Sequence, residues 1–455
     1  MAPSGDGRRR VRVGVLGCGN VGGALVELVD AEADAIAEAT GVHLEVTRVA
    51  VRNLAKQRTS PVGPDRLTHD AHAVATDPDV DVVVELIGGI EPARSLVADA
   101  LKAGKAVVSA NKELLANVGA ELSAVAEAAG RPLRFEAAVA GAIPLVRALQ
   151  VSLAGERVRR VVGIVNGTTN YVLTRMSDER IPYAEALAEA QRLGYAERDP
   201  AADVEGFDAS AKAAILATLA FHVEVVAGDV YREGIEAIEV DDIDFAHRLG
   251  YEVKLLAIAE RVEGGGGAGQ VAVRVHPAMV PADHPLAGVR GPFNAVFVEG
   301  EAAGELMLYG RGAGGRPTAS AVLGDLVEVA RSLGTAPAPT LRRRPAVLSP
   351  IDELRTQYYL TVDVVDRPGV LAQVAAAFGA HGVSIRSMEQ VGLGDEARLV
   401  FITHTAREAD VQATLAELGA LAAVERVGGM LRVVGPERDG PGRHRAREHG
   451  HHRES

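Results

Sequence analysis

Short apolar runs alternate with amphipathic ones over the first third of the chain, the pattern of strands buried on both faces and separated by helices. Val11-Arg-Val-Gly-Val-Leu16 predicts the first strand, a helical run follows through Ala39, and His43 to Val51 predicts the second strand. Val80 to Ile87, closed by Gly88 and Gly89, and Ala106 to Ser109, closed by Ala110, Asn111 and Lys112, predict further βα units. Beyond Phe135 the rhythm changes. Segments 158–165, 271–276, 293–299 and 304–309 alternate like strands, with helices expected near 183–193, 206–221 and 242–261, which makes a mixed α+β domain. A glycine-rich stretch, Gly310 to Thr318, opens a helix from Ala319 to Leu333 that returns the chain to the first domain. The last pattern runs strand 357–366, helix 370–380, strand 383–391, strand 397–405, helix 407–418 and strand 424–434, a β-α-β-β-α-β unit of ferredoxin-like order.

Composition narrows the function without naming it. A formal charge of −13 over 455 residues argues against nucleic acid or an anionic membrane as partner and leaves a small-molecule substrate. Cys18 is the single cysteine, so no disulfide forms within the chain, and a reducing cytoplasm fits. Val11 to Leu16 is interrupted by Arg12 and lacks the length of a signal peptide, and no stretch reaches the roughly 18 apolar residues of a membrane span.

Between the first strand and its helix stand Gly17, Gly19 and Gly22 in Gly-x-Gly-x-x-Gly spacing, with Asn20 and Val21 among them. In that context the glycines let the backbone turn tightly and approach a pyrophosphate at a helix N-terminus. The second strand ends in Arg52, with Lys56 nearby and no acid at its tip; a basic group there favours the 2′-phosphate of NADP, with NAD as the alternative and a solvated loop residue as the plain reading of Arg52. Lys112 follows a strand end that points at the ligand crevice, where it meets nicotinamide or substrate unless it is an ordinary loop lysine.

The densest chemistry lies between Gly194 and Ala217. Glu197, Asp199, Asp203, Glu205 and Asp208 precede Lys212 at the mouth of an otherwise apolar helix. Asp208 and Lys212 stand four apart on one face, so the buried pair is either a structural ion bridge or chemistry. Asp203 is expected as the N-cap of that helix, with Glu205 in its first turn and Asp199 starting the turn before Pro200.

Asn166-Gly-Thr-Thr-Asn-Tyr171, Gly194-Tyr-Ala-Glu197, and Asp203 through Lys212, supported by Ser109-Ala-Asn-Lys112 and Pro317-Thr-Ala-Ser320, occur in an order that resembles homoserine dehydrogenase of the bacterial type carrying a C-terminal ACT domain. The resemblance runs from about Val11 to Val434 and implies NAD(P)-dependent interconversion of L-homoserine and L-aspartate 4-semialdehyde, on the route to threonine, methionine and isoleucine. It implies Lys212 as general acid/base with Lys112 beside it, substrate contacts from Gly194, Glu197 and Asp208, and cofactor contacts from Gly17, Gly19, Asn20, Val21, Gly22, Arg52, Ile87, Ser109, Lys112 and Gly312. It also implies a monovalent cation such as sodium, held largely by carbonyls at Glu136, Val139, Gly141 and Ile143. The implied architecture is α/β: a disordered N-terminus (1–10), a Rossmann-type dinucleotide domain (11–137, with a return segment at about 310–335), a mixed α+β substrate and dimerisation domain (138–309), a linker (336–355), a ferredoxin-like ACT regulatory domain (356–434) that takes an amino-acid effector such as L-threonine, and a disordered tail (435–455). A homodimer or homotetramer follows from the habit of ACT domains to bind effectors between paired copies.

Two rivals remain. An aspartate-semialdehyde dehydrogenase needs a nucleophilic cysteine, and Cys18 sits inside the phosphate loop, badly placed for that work. A non-catalytic NADP-binding amino-acid sensor would lack one of Lys112, Glu197, Asp208 or Lys212, and all four are present.

Overall fold

The computed structural model describes residues 9–55, 62–262, 270–334, 344–392 and 396–435. Lys56, the string Gly264 to Gly267, Arg342 and Arg343 of the linker, and the tails up to residue 8 and from 436 lie outside the described residues. The chain divides into two units: Met1–Asp244, Lys254–Pro277 and His284–Ser349 form the first, and Phe245–Val253, Ala278–Asp283 and Pro350–Ser455 the second.

Valine-rich runs build a parallel sheet in the first unit. Its strands β1 (Arg9–Leu16), β2 (Val42–Ala50), β3 (Leu67–Thr68), β4 (Val82–Glu85), β5 (Ala106–Ser109) and β6 (Leu133–Arg134) stand in the order β3-β2-β1-β4-β5-β6. Helices α1 (Asn20–Thr40), α2 (Ala71–Thr76), α3 (Ala93–Lys102) and α4 (Lys112–Ala129) lie between them in sequence. Val13, Val15, Val82 and Val84 are wholly buried, as strands covered on both faces require. The strand order reverses between β1 and β4, so their carboxyl ends frame the crevice where a doubly wound sheet takes its ligand. Arg9 and Arg10, expected as disordered, extend β1 by pairing with Val42 and His43.

After the parallel sheet the chain continues with β7 (Val158–Ile164), α5 (Gly167–Glu179), α6 (Tyr183–Arg192), the single turn α7 (Ala201–Val204) and α8 (Phe207–Phe221). β8 (Val223–Glu224), β9 (Tyr231–Arg232), α9 (Val240–Arg248), β10 (Tyr251–Arg261), β11 (Gln270–Pro281), β12 (Phe293–Gly300) and β13 (Gly304–Arg311) follow, then α10 (Gly315–Ser332), β14 (Arg344–Pro345) and β15 (Val347–Leu348). β12 pairs antiparallel with β13 and β7, and β7 with β10. Thirteen of the fifteen α8 residues are buried, the mark of a helix that is apolar all round. α10 joins the core of the parallel sheet through Ala319, Val322, Leu326 and Val329, which pack with Val13, Val15 and Leu25.

Two further expectations are corrected. Residues 242–261 are not one helix: Gly250, at φ +81, follows α9, and the largely buried run that continues is strand β10. The described end of the linker is not free either, since Arg344 and Pro345 pair with β8, and Val347 and Leu348 with β11.

The second unit contains β16 (Arg355–Val365), α11 (Val370–Ala380), β17 (Ile385–Gly392), β18 (Glu396–Thr403), β19 (Ala406–Arg407), α12 (Glu408–Gly419) and β20 (Val424–Val433). Its antiparallel order β20-β16-β18-β17 is that of a ferredoxin-like fold. Val374, Phe378, Val411 and Leu418 of the two helices pack on Tyr358, Leu360 and Phe401 of the sheet. Inside this unit Glu408 and Arg432, each 1% exposed, form a bidentate ion pair that the Tyr358 hydroxyl completes at 3.0 Å.

Candidate active site

Gly17 leaves β1 at φ +102, and a Cβ there would lie 2.6 Å from the Leu86 carbonyl oxygen. A Cβ on Gly22 would fall 2.2 Å from the Gly17 oxygen. Gly19 is different: it caps α1, and a Cβ on it would meet nothing within 4 Å. Two glycines are therefore demanded by the protein's own packing, while the third opens onto space in front of a helix N-terminus whose first turn carries no acid. Exposed Asn20 and half-buried Val21 stand beside it. Such a cradle fits a pyrophosphate. Arg52 is exposed just beyond β2 and has no ion pair among the described residues. Gly312 is wedged between two neighbours: a Cβ on it would collide with the Asn294 amide, and its carbonyl oxygen lies where a Cβ on Gly141 would go.

Across the crevice the ends of β4 and β5 meet. Glu85, wholly buried, accepts from the Ser109 hydroxyl at 2.7 Å, the Ile87 amide at 2.8 Å, the Gly88 amide at 3.3 Å and Asn111 Nδ2 at 3.4 Å. The side chain of Ser109, expected at the cofactor, is thus turned inward. Asn111 is the N-cap of α4, accepting from the Leu114 amide at 3.1 Å, and Lys112 is the first residue of that helix.

Lys112 and Lys212 converge on one carboxylate. The Lys112 ammonium bonds Asp208 Oδ1, while Lys212 Nζ lies 2.6 Å from Asp208 Oδ2 and 2.7 Å from the Val165 carbonyl oxygen. Burial works against ionisation of Asp208, but the charges of Lys212 and Lys112 overcome it and hold the carboxyl far below the usual aspartate range. The two lysines are driven apart. Burial lowers Lys212, the Lys112 charge lowers it further, and Asp208 offsets only part of this. Burial also works on Lys112, yet there the charge and hydrogen bond of Asp208 win and raise it.

Asn166 ties this centre to α5. It caps α5, accepting from the Thr169 amide at 2.8 Å, and its Nδ2 donates to Asp208 Oδ2 at 2.8 Å and Asp203 Oδ1 at 2.6 Å. Asp203 is therefore no cap of α8. It lies in α7, and Gly206, at φ +82, takes the cap position after the chain bends there. Glu205 closes α7 rather than opening α8. The Thr168 hydroxyl donates to the Tyr195 carbonyl at 2.7 Å, and Gln191 Nε2 to the Glu197 carbonyl at 3.0 Å, so the Gly194–Glu197 loop is pinned beside α5 and α6. The Glu197 carboxylate itself is exposed and has no partner among the described residues.

The expected cation positions are buried, with consecutive left-handed residues at Ala140 and Gly141. The Glu136 carboxylate is spent on the amides of Val146 at 2.7 Å and Arg147 at 2.9 Å, and its carbonyl accepts from the Val139 amide. The Ile143 carbonyl accepts from the Leu145 amide. The carbonyls of Val139 and Gly141 accept no hydrogen bond from the described residues, and orphaned buried carbonyls suit a hard monovalent cation. Among the described residues no group of three or more His, Cys, Asp or Glu side chains could hold a metal.

Sequence reasoning missed the site roles of Glu85 and Asn166. Only the position of Glu85 at a strand end beside two glycines hinted at it, and nothing linear ties Asn166 to Asp208.

Residues 17–136 match the family model described as the NAD binding domain of homoserine dehydrogenase, 144–327 match the homoserine dehydrogenase model, and 358–423 match the ACT domain. The chain is 50% identical over 433 residues to the homoserine dehydrogenase of Corynebacterium glutamicum, covering 94% of this chain and 96% of that one. A crystal structure of a homoserine dehydrogenase from Thiobacillus denitrificans superposes with a TM-score of 0.88 at 40% identity, covering 94% and 99% of the two chains. A hyperthermophilic archaeal homoserine dehydrogenase in complex with NADPH aligns at a TM-score of 0.59 and 27% identity, covering 73% of this chain and all of that one. The chain belongs to the homoserine dehydrogenase family, NAD(P)-dependent oxidoreductases, here with a C-terminal ACT domain.

Proposed function

We propose that Lys212 is the general acid/base of homoserine oxidation and aspartate-semialdehyde reduction, and that Lys112 orients the reacting oxygen. The observation that carries this is the shared carboxylate of Asp208, which leaves two lysines with opposite shifts. The lowered one gives up its proton more readily than an ordinary lysine, and the raised one holds its proton more tightly. A bound nicotinamide supplies the hydride acceptor in oxidation and the hydride donor in reduction. In oxidation the hydride leaves the hydroxyl-bearing carbon as the hydroxyl proton passes to neutral Lys212 Nζ. In reduction the Lys212 ammonium returns that proton to the oxygen while Lys112 stabilises its developing charge. Asp208 is committed to the lysines, so exposed Glu197 takes the substrate ammonium, with backbone help from Gly194.

NADP is the proposed cofactor. Arg52 beyond β2, with no ion pair among the described residues, and the archaeal relative in complex with NADPH support it over NAD. A sodium-like ion at the Val139 and Gly141 carbonyls, threonine at the ACT domain, a homodimer or homotetramer and a cytoplasmic location complete the proposal. No helix among the described residues is long and apolar enough to cross a membrane.

The test follows reduced-nicotinamide absorbance with L-homoserine and NADP⁺ or NAD⁺, in wild type and Lys212→Ala. Turnover that collapses in the variant while cofactor binding persists is expected. An active Lys212→Ala enzyme would remove Lys212 from the proton path.

A further inference from the structure

We infer that Glu85 is a positioning residue that fixes the cofactor-side loop 86–89 and Lys112 as one unit. Glu85 is the last residue of β4, 0% exposed, with no cationic partner among the described residues. A buried carboxylate without a cation is costly unless donors surround it. Here the donors come from both sides of the crevice. On one side are the Ile87 and Gly88 amides, in a loop whose Gly88 and Gly89 both take left-handed conformations at φ +82 and φ +73 and carry no side chains to hold themselves. On the other are the Ser109 hydroxyl, which in turn accepts from the Asn111 amide at 3.1 Å, and Asn111 Nδ2. The same Nδ2 also donates to the Gly89 carbonyl at 2.7 Å, closing a ring of bonds around the carboxylate.

The consequence runs through one residue. Asn111 caps α4 and the next residue is Lys112, so the direction in which the Lys112 stem leaves the helix depends on the bonds that hold Asn111. Among the described residues Glu85 makes no hydrogen bond or ion pair with Lys112 or Asp208; it acts through the cap. Ordinary core packing would be served as well by a neutral side chain of the same shape. A carboxylate that gathers two loop amides, a hydroxyl and the cap of the lysine-bearing helix is suited to holding the cofactor floor and Lys112 at a set distance. The inference rests on the role given to Lys112 above.

A double-mutant cycle tests it, with NADPH binding followed by fluorescence and turnover by absorbance. Glu85→Gln keeps volume and removes the charge. It is expected to lower kcat by about 10- to 100-fold, the scale of a small misplacement of a reacting group, to raise the NADPH Kd about fivefold or more, and to leave the homoserine KM within about twofold. In a Lys112→Ala background the same change is expected to lower kcat by less than about twofold, because the group it positions is gone. If Glu85→Gln does not fold, Ser109→Ala, which removes one donor to the same carboxylate, enters the same cycle. Equal losses in both backgrounds, or an unchanged kcat and Kd in Glu85→Gln, would overturn the inference. Full activity of Lys112→Ala on its own would instead overturn the role of Lys112, and the NADPH Kd of Glu85→Gln would then decide the cofactor half separately.

Discussion

Asp208→Asn probes the centre with the least change of shape. In the wild type this carboxylate takes the Lys112 ammonium on Oδ1, and the Lys212 ammonium and Asn166 Nδ2 on Oδ2. Asparagine retains one acceptor oxygen and presents an NH2 where the other stood, so one ammonium loses its acceptor and both lose the counter-charge. Removing one partner of a buried ion pair costs about 3–5 kcal/mol. Lys212, already lowered by burial and by Lys112, relieves most of that by giving up its proton. At about 1.4 kcal/mol for each pKa unit, a further fall of about two units follows. The assay is kcat/KM for L-homoserine against pH at saturating NADP⁺, with the reverse reaction run alongside. In oxidation the rising limb, which reports the base, moves to lower pH by about two units; in reduction the falling limb, which reports the acid, moves the same way. The plateau drops by about 100-fold because Lys112 and Lys212 lose their common anchor. Limbs that stay within about 0.3 units of wild type would refute the electrostatic account of the centre, whatever happens to the plateau.

Gly19→Ala and Gly22→Ala separate the ligand's space from the protein's. The first leaves the thermal midpoint unchanged and raises the cofactor Kd about tenfold or more, whereas the second, with its Cβ 2.2 Å from the Gly17 oxygen, costs about 1–3 kcal/mol of stability by chemical denaturation. Burial pushes the Asp325 carboxyl up to about 7, so the native state holds a proton the unfolded chain has lost, and stability falls as pH rises from about 4 to about 7. Asp325→Asn is expected to lack that slope in denaturation midpoints taken across the window; an identical slope would remove Asp325 as its source. Arg432→Met strands Glu408 in the second unit and lowers stability by about 3–5 kcal/mol in urea, and adding Glu408→Leu recovers most of the loss.

How far the sequence could be read depends on whether the determinant was local. The valine-rich strands and the phosphate-loop glycines declare themselves by period and spacing, and β1, β5 and α8 lie within two residues of where pattern puts them. Residues 251–261 misled, because Lys254-Leu-Leu-Ala-Ile-Ala-Glu260 has helix-forming residues throughout, and neighbouring strands override propensity there. Asp203 misled in another way. It has the right residue type for a cap a few positions before the helix, but Gly206 takes that place through its backbone conformation, freeing the carboxylate for Asn166, 37 positions earlier. The Lys112–Asp208 contact spans 96 positions and the Glu85 ring joins two strand ends, neither of which leaves a periodic trace.

The Asp208–Lys212 pair is open in the sequence to a structural or a chemical reading, and under the proposed function it serves as both for one physical reason. Lys112 and Lys212 bond the same carboxylate, yet the Lys112 side chain is 38% exposed and Lys212 11%. Exposure leaves Lys112 its hydration, so the gain from Asp208 exceeds its desolvation cost and its proton is held more tightly. Lys212 has little water to fall back on and feels a second ammonium nearby, so the same carboxylate compensates it only in part. Burial and the Lys112 charge draw Lys212 toward the neutral amine, Asp208 draws it toward the ammonium, and the net result lies below the ordinary lysine range. The bridge that anchors α8 to α4 is thus also the arrangement that shifts its two lysines in opposite directions, and the proton-transfer group proposed at Lys212 takes shape only when Lys112 of α4 and Asp208 of α8 are brought together.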